Sequence, residues 1–181
     1  PVGFKYFSQL LFDGAIGIGG EESAGASFLK KDGTVWTTDK DGMIMALLSM
    51  EIMAVMGKSA LKMADEFVEE FGNPSFGRID APCKKEQKQI LKQMSAELIT
   101  ATTVDGDPIT NIRTTSLYND MPIDGVRVET DKGWFVARPS GTEDLYKIYG
   151  ESYKGDLGLV ALLTAGEEIV NAALNGTIET E

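Results

Sequence analysis

Apolar residues recur along this chain with two periods, and the change from one to the other divides it. Ala26 to Leu29 form a short apolar run that predicts a buried strand. Lys31-Asp32-Gly33-Thr34 then reads as a turn, because Asp-Gly supplies the positive φ that a tight reversal needs. Val35 to Thr38 follow. From Gly42 to Met56 the spacing is helical, with Asp39 or Asp41 as the cap and Gly57 as the stop. Ile44, Met45, Leu47, Leu48, Ile52 and Val55 make that helix apolar around most of its circumference, which suits a position between the layers of a larger domain. A second helix starts from Ser59, repeats Leu61, Ala64, Val68 and Phe71, and ends at Gly72-Asn73-Pro74.

Residues 73–83 hold two prolines, a glycine and mixed polarity, so the domain boundary is placed there, giving units 1–77 and 78–181. Beyond it Lys84 to Met94 predicts a third helix, with Ile90, Leu91, Met94 and Leu98 turned inward. The period then becomes strand-like. Ile109 to Thr115 alternates weakly, Val126–Thr130 and Trp134–Ala137 flank the hairpin signal Asp131-Lys132-Gly133, and Leu145–Tyr149 adds a strand. A last helix from about Leu157 to Leu174 shows Leu162, Leu163, Ile169, Val170 and Leu174 on one side. Strands followed by a helix make the second unit α+β, an antiparallel sheet packed by helices.

Charge and composition narrow the chemistry. Seventeen basic residues against 28 acidic ones leave a net charge of −11, which repels phosphate backbones and anionic lipid; nucleic acid and membrane surfaces are not expected partners. Any anionic ligand must be held by local donors working against that field. With one cysteine, Cys83, there is no internal disulfide, no Cys/His spacing for zinc is present, and a cytoplasmic location is expected. The chain contains no histidine, which removes the usual near-neutral acid/base. The longest apolar run, Met43 to Met56, is broken by Ser49 and Glu51 and is shorter than a membrane span. Starting at Pro1 without a methionine or a signal peptide, the chain is expected to be either processed or a piece of something longer.

Two loops carry candidate chemistry. Arg138-Pro139-Ser140-Gly141-Thr142 leaves the end of a predicted strand. A guanidinium grips two phosphate oxygens at once, Ser140 and Thr142 add hydroxyl donors, Gly141 lets backbone N–H groups approach an anion, and Pro139 stiffens the bend. A polar hairpin turn with its arginine in solvent accounts for the same residues equally well, and Glu143-Asp144 place the wrong charge nearby. Lys147 on the next strand is either a second cation for the loop or a plain exposed lysine.

Glu21 and Ser23 lie among Gly19, Gly20 and Gly25, in a glycine-rich approach that begins at Asp13. Carboxylates accept hydrogen bonds that sugar hydroxyls donate. The G-x-G-x-x-G spacing of a dinucleotide site is missing, and a solvated acidic turn is the simpler reading of these residues taken alone. Lys5 reads as a surface lysine, Lys84, Lys88 and Lys92 as a solvated helix face, and the eight methionines as core filling.

Taken together and in order, Pro-Val-Gly-Phe-Lys at 1–5, Gly-Gly-Glu-Glu-Ser-Ala-Gly at 19–25, Thr-Thr-Asp-Lys-Asp-Gly at 37–42 and Arg-Pro-Ser-Gly-Thr-Glu at 138–143 resemble the α-D-phosphohexomutases, bacterial phosphoglucomutases in particular. The resemblance covers nearly the whole chain and implies an α/β part of that family's third domain followed by its fourth. It implies that Glu21, Ser23 and Lys5 face the sugar, and that Arg138, Ser140, Gly141, Thr142 and Lys147 hold the non-reacting phosphate. It further implies interconversion of glucose 1-phosphate and glucose 6-phosphate through a phosphoserine, Mg2+ and glucose 1,6-bisphosphate. No Thr-Ala-Ser-His-Asn-like nucleophile loop and no Asp-x-Asp-x-Asp-like metal loop occur here. The expected partners are therefore a hexose phosphate and missing N-terminal domains. The chain alone is expected to catalyse nothing and to dimerise through its truncated domain. A free-standing sugar-phosphate module, or a mutase of another hexose phosphate, is the alternative.

Overall fold

The computed structural model describes residues 3–21, 23, 25–117 and 119–175. It divides into two compact units, Pro1–Phe71 and Gly72–Glu181.

In the first unit α1 (Lys5–Phe12) precedes a two-stranded antiparallel sheet of β1 (Ile18–Gly20) and β2 (Ala26–Phe28). Part of the glycine-rich approach is thus a paired strand. A Cβ at Gly19 would lie 2.9 Å from Phe7, so glycine there lets α1 close on the strand. The Asp-Gly turn forms as expected, with Gly33 at φ 81°. Asp41 caps α2 (Gly42–Met56), its Oδ1 accepting from Met43 N at 2.9 Å and Ile44 N at 3.2 Å, and Gly57 ends the helix at φ 64°. Ser59 accepts from Lys62 N at 3.2 Å and opens α3 (Ala60–Phe71). Neither α2 nor α3 has a buried residue, and Met43, Val55, Leu61 and Phe67 are all more than half exposed.

The second unit is a six-stranded antiparallel sheet in the order β3-β8-β7-β6-β5-β4. Its strands are β3 (Ser75–Pro82), β4 (Thr103–Val104), β5 (Asp107–Thr115), β6 (Pro122–Thr130), β7 (Gly133–Pro139) and β8 (Leu145–Ser152). The stretch read as a connecting segment is largely β3. An edge strand tolerates a proline at its last residue, since no further ladder bond is needed there. Two helices, α4 (Lys85–Lys92) and α5 (Gly155–Asn175), pack on one face. They cover Val126, Val128, Phe135, Ala137 and Ile148, all fully buried, together with Leu91 and Val170. A Cβ on Gly166 would sit 2.7 Å from Ile148, so this glycine sets how closely α5 approaches the sheet. By length and a mean hydropathy of 1.5, α5 is a match for a membrane span, but its buried side is the core of this unit. Leu91 and Met94 are buried as expected, but Ile90, also expected inward, is 43% exposed on the two-turn helix α4.

Alternation sends the remaining strand residues to the opposite, helix-free face. All four arginines of the chain stand on it. Register aligns Arg78, Tyr149, Val136, Arg127 and Arg113 in one row across five strands. Asp80, Lys147 and Arg138 form the neighbouring row.

Candidate functional site

The Arg138–Thr142 loop begins where that second row meets the β7–β8 connection. The Arg138 guanidinium lies over the Tyr149 ring, 5.8 Å from its centroid. Arg78 is paired with Asp80, and Arg113 and Arg127 share Glu129; among the described residues Arg138 is the arginine with no carboxylate partner. Lys147 is its direct cross-strand neighbour and is ion-paired with Glu143 at 2.8 Å. That lysine hydrogen-bonds to Glu143 and holds its carboxyl below the usual carboxylate range. A lowered acid contributes fully above its ordinary value and is lost only as pH falls through the lowered one, so this pair is intact at neutral pH.

The loop backbone is braced from within. Ser140 N donates to Leu145 O at 2.8 Å, and Glu143 N donates to Ser140 Oγ at 3.2 Å. Ser140 is buried at 7% exposure, while Gly141 and Thr142 are exposed. The amides of Gly141 and Thr142 meet no acceptor among the described residues. Two open N–H groups, two hydroxyls and a guanidinium without a carboxylate partner among the described residues are the donor types from which an anion accepts hydrogen bonds.

Lys88, read as part of a solvated face, supports this loop instead. Its side chain is 15% exposed; Nζ donates to the Glu143 carbonyl and to Asp144 Oδ1 at 3.0 Å. Cys83 N donates to Asp144 O at 2.9 Å beside it. Burial pushes the Cys83 thiol up, leaving it a core residue and not a nucleophile. Gly125 was also missed. It follows Asp124, at φ 56°, and a Cβ there would fall 2.2 Å from Ala137 O and 2.6 Å from Arg138 Cβ. The irregular entry to β6 therefore lets β7 carry Arg138 close by, and Asp124-Gly125 was the available signal.

In the first unit, Glu21 N donates to Gly25 O at 3.0 Å and closes a tight loop at the end of β1. The Glu21 carboxylate is 19% exposed, ion-paired with Lys40, and 3.4 Å from Ser23 Oγ. Gly25 admits the Lys40 chain, since a Cβ there would lie 2.8 Å from it. Thr37-Thr38-Asp39-Lys40-Asp41-Gly42 delivers that lysine: Ser27 Oγ donates to Thr37 O, Ser8 Oγ to Thr38 O, and Asp41 N to Ala26 O. The structure thus joins Glu21, Ser23 and Lys40. Lys5, at the start of α1, lies over the Tyr6 ring at 5.2 Å and has no bond to Glu21 or Ser23 among the described residues. Glu22 and Ala24 lie outside the described residues. No group of three His, Cys, Asp or Glu side chains is assembled for a cation among the described residues, so the Mg2+ implied by resemblance has no fitting donor set here.

Comparison with known proteins places both loops in one family. Residues 1–71 match the family model for phosphoglucomutase/phosphomannomutase, alpha/beta/alpha domain III, and residues 79–158 match that for phosphoglucomutase/phosphomannomutase, C-terminal domain. A phosphoglucomutase of Komagataeibacter xylinus is 47% identical over 172 residues, 95% of this chain and 31% of that protein. A probable phosphoglucosamine mutase of Pyrococcus abyssi is 25% identical over 158 residues, 87% of this chain and 30% of that protein. The crystal structure of a phosphoglucomutase/phosphomannomutase family protein from Burkholderia thailandensis superposes with a TM-score of 0.61 at 21% identity, covering 96% of this chain and 32% of that one. The chain spans about a third of the length of these relatives.

Proposed function

Since this chain belongs to the phosphoglucomutase/phosphomannomutase family, we propose that it is the substrate-reading C-terminal part of a cytoplasmic phosphoglucomutase. The whole enzyme interconverts glucose 1-phosphate and glucose 6-phosphate through a phosphoserine and glucose 1,6-bisphosphate. The nucleophile and the Mg2+ site lie in the part of the polypeptide outside this chain, and the chain alone is inactive. Arg138, Ser140, Gly141, Thr142 and Lys147 hold the phosphate that does not react, while Glu21, Ser23 and Lys5 read the sugar hydroxyls. Gripping the remote phosphate fixes the other end of the substrate for in-line transfer, so binding energy far from the reacting bond lowers its barrier. The observation that carries this reading is Arg138, free of any carboxylate among the described residues beside two open amides, in a chain of net charge −11. Glucose phosphates are preferred to other hexose phosphates because the identity to a phosphoglucomutase, 47%, far exceeds the 25% to a phosphoglucosamine mutase.

Glucose 6-phosphate at millimolar concentration is expected to raise the melting temperature of the chain, and glucose at the same concentration is not. Equal shifts, or none, contradict the proposal.

The apolar exterior of α2 and α3 takes the rest of its domain as its cover in the whole enzyme. Isolated, the chain is expected to dimerise through that surface. Sedimentation checks this: a single monomeric species from micromolar to millimolar concentration is the contrary result.

A further inference from the structure

The Lys147–Glu143 pair is an obstacle to phosphate binding as well as a support. Lys147 neighbours Arg138 across the β7–β8 ladder, and both extend from the helix-free face. Without ligand, the charge of Lys147 is already spent on a glutamate of the loop that would receive the phosphate. A phosphate dianion entering beside Arg138 and Lys147 meets the Glu143 carboxylate as a like charge.

The surroundings determine which part of Glu143 moves. Its backbone is tied on both sides, by its N–H to Ser140 Oγ and by its carbonyl to Lys88 Nζ. The next residue is held through Cys83 N and Lys88 Nζ. Only the side chain is loose, and it is 54% exposed, against 16% for Lys147. Lys147 is fixed in the sheet between Arg138 and Asp80, its Cα neighbours on either strand. Rotation of Glu143 into solvent therefore exposes the ammonium without disturbing the loop backbone. The reverse, Lys147 leaving a stationary Glu143, would require a mostly buried side chain to move.

We propose that Glu143 is a positioning residue acting through Lys147: a displaceable counter-ion that occupies the lysine until a dianionic phosphate replaces it. The inference rests on the reading of Arg138 and its loop as the phosphate site. It has a consequence for selectivity. A ligand must supply enough charge to displace a carboxylate, so a neutral sugar or a monoanion gains little from Lys147 while a phosphate dianion gains its full attraction. The groups acting on Glu143 are Lys147 from β8, Arg78 from β3 and Ser140 of the loop, with Lys88 from α4 on its carbonyl, while Arg138, Asp80 and Tyr149 surround Lys147. Of these, Lys147 makes the ion pair.

The test is a cycle of four forms of the full chain, wild type, Glu143→Gln, Lys147→Met and the double variant, with Arg138→Ala as a separate control. Each is titrated with inorganic phosphate and with glucose 6-phosphate, and the dissociation constant is read from amide chemical shifts. Glu143→Gln is expected to tighten phosphate by about two- to fivefold, the scale of a partly exposed ion pair. In the Lys147→Met background the same change is expected to have a clearly smaller effect, since only direct repulsion between carboxylate and phosphate is then relieved. Lys147→Gln, which also removes the charge, serves if the methionine variant does not fold, and Lys147→Arg should preserve the coupling. A 13C titration of the Glu143 carboxyl gives an independent signature: it ionises at a lower pH in the free chain than with phosphate bound. Equal tightening in both backgrounds, no tightening in either, or an unmoved carboxyl titration overturns the counter-ion role. If Arg138→Ala leaves phosphate binding intact, the phosphate site fails and the counter-ion with it. If Arg138→Ala abolishes binding while the cycle shows no coupling, only the counter-ion role fails.

Discussion

Arg138→Ala is expected to weaken glucose 6-phosphate binding by about 10- to 100-fold, the scale of hydrogen bonds to a charged group. The side chain stands on the helix-free face, against the Tyr149 ring and without a carboxylate partner among the described residues. Its removal takes nothing from the core of Phe135, Ile148 and Val126, so the melting temperature of the unliganded chain should stay within a degree or two of wild type (surface changes of this kind stay within about 0.5 kcal/mol). In the whole enzyme the same change is expected to raise the Michaelis constant and lower kcat as well, because a poorly held phosphate leaves the reacting end misplaced. Steady-state kinetics with glucose 1-phosphate check this. An unchanged Michaelis constant would mean that the guanidinium does not touch substrate. Arg78, by contrast, is already neutralised by Asp80 at 3.2 Å, and its removal should leave affinity nearly unchanged.

Gly125→Ala is expected to damage both stability and binding from a position that bears no functional group. The added Cβ would lie 2.2 Å from Ala137 O and 3.0 Å from Arg138 Cα, and both are backbone atoms in a paired strand. No rotamer change relieves such an overlap; β6 or β7 must shift. Overpacking of this kind costs about 1–3 kcal/mol, and here the strand that moves is the one that aims Arg138. Denaturant melts should show a lowered midpoint, and phosphate affinity should fall in the variant that remains folded. Wild-type affinity in a destabilised variant would separate the irregular entry to β6 from the site.

How far these residues could be read beforehand followed the range of the interactions that fix them. Asp41 and Gly57 bound α2, and Asp32-Gly33 makes its turn, because each is decided within four residues. The β6–β7 hairpin was legible for the same reason. The loop from Arg138 to Thr142 was visible as a concentration of anion-binding residue types, and the family resemblance gave it a role. What decides its geometry was not local. Lys88 meets the loop across 55 residues of sequence, and a helical spacing of lysines is equally consistent with solvent. Lys40 reaches Glu21 across 19 residues, from a Thr-Thr-Asp-Lys-Asp-Gly segment in which nothing local marks the lysine. The strand β3 was hidden by its own edge position, where glycine and a terminal proline cost little and resemble a linker. The short helix α1 was overlooked because its N-cap, Phe4, offers no side-chain hydrogen bond to mark the start.

Amide-resolved titration with glucose 6-phosphate tests most directly whether the bend between β7 and β8 receives a phosphate. The Gly141 and Thr142 amides are predicted to move far downfield and to saturate together with the Arg138 side-chain signal. The Ser140 amide, already donating to Leu145 O at 2.8 Å, should move little. Saturable shifts confined to other parts of the chain, with Gly141 and Thr142 unmoved, would contradict the account.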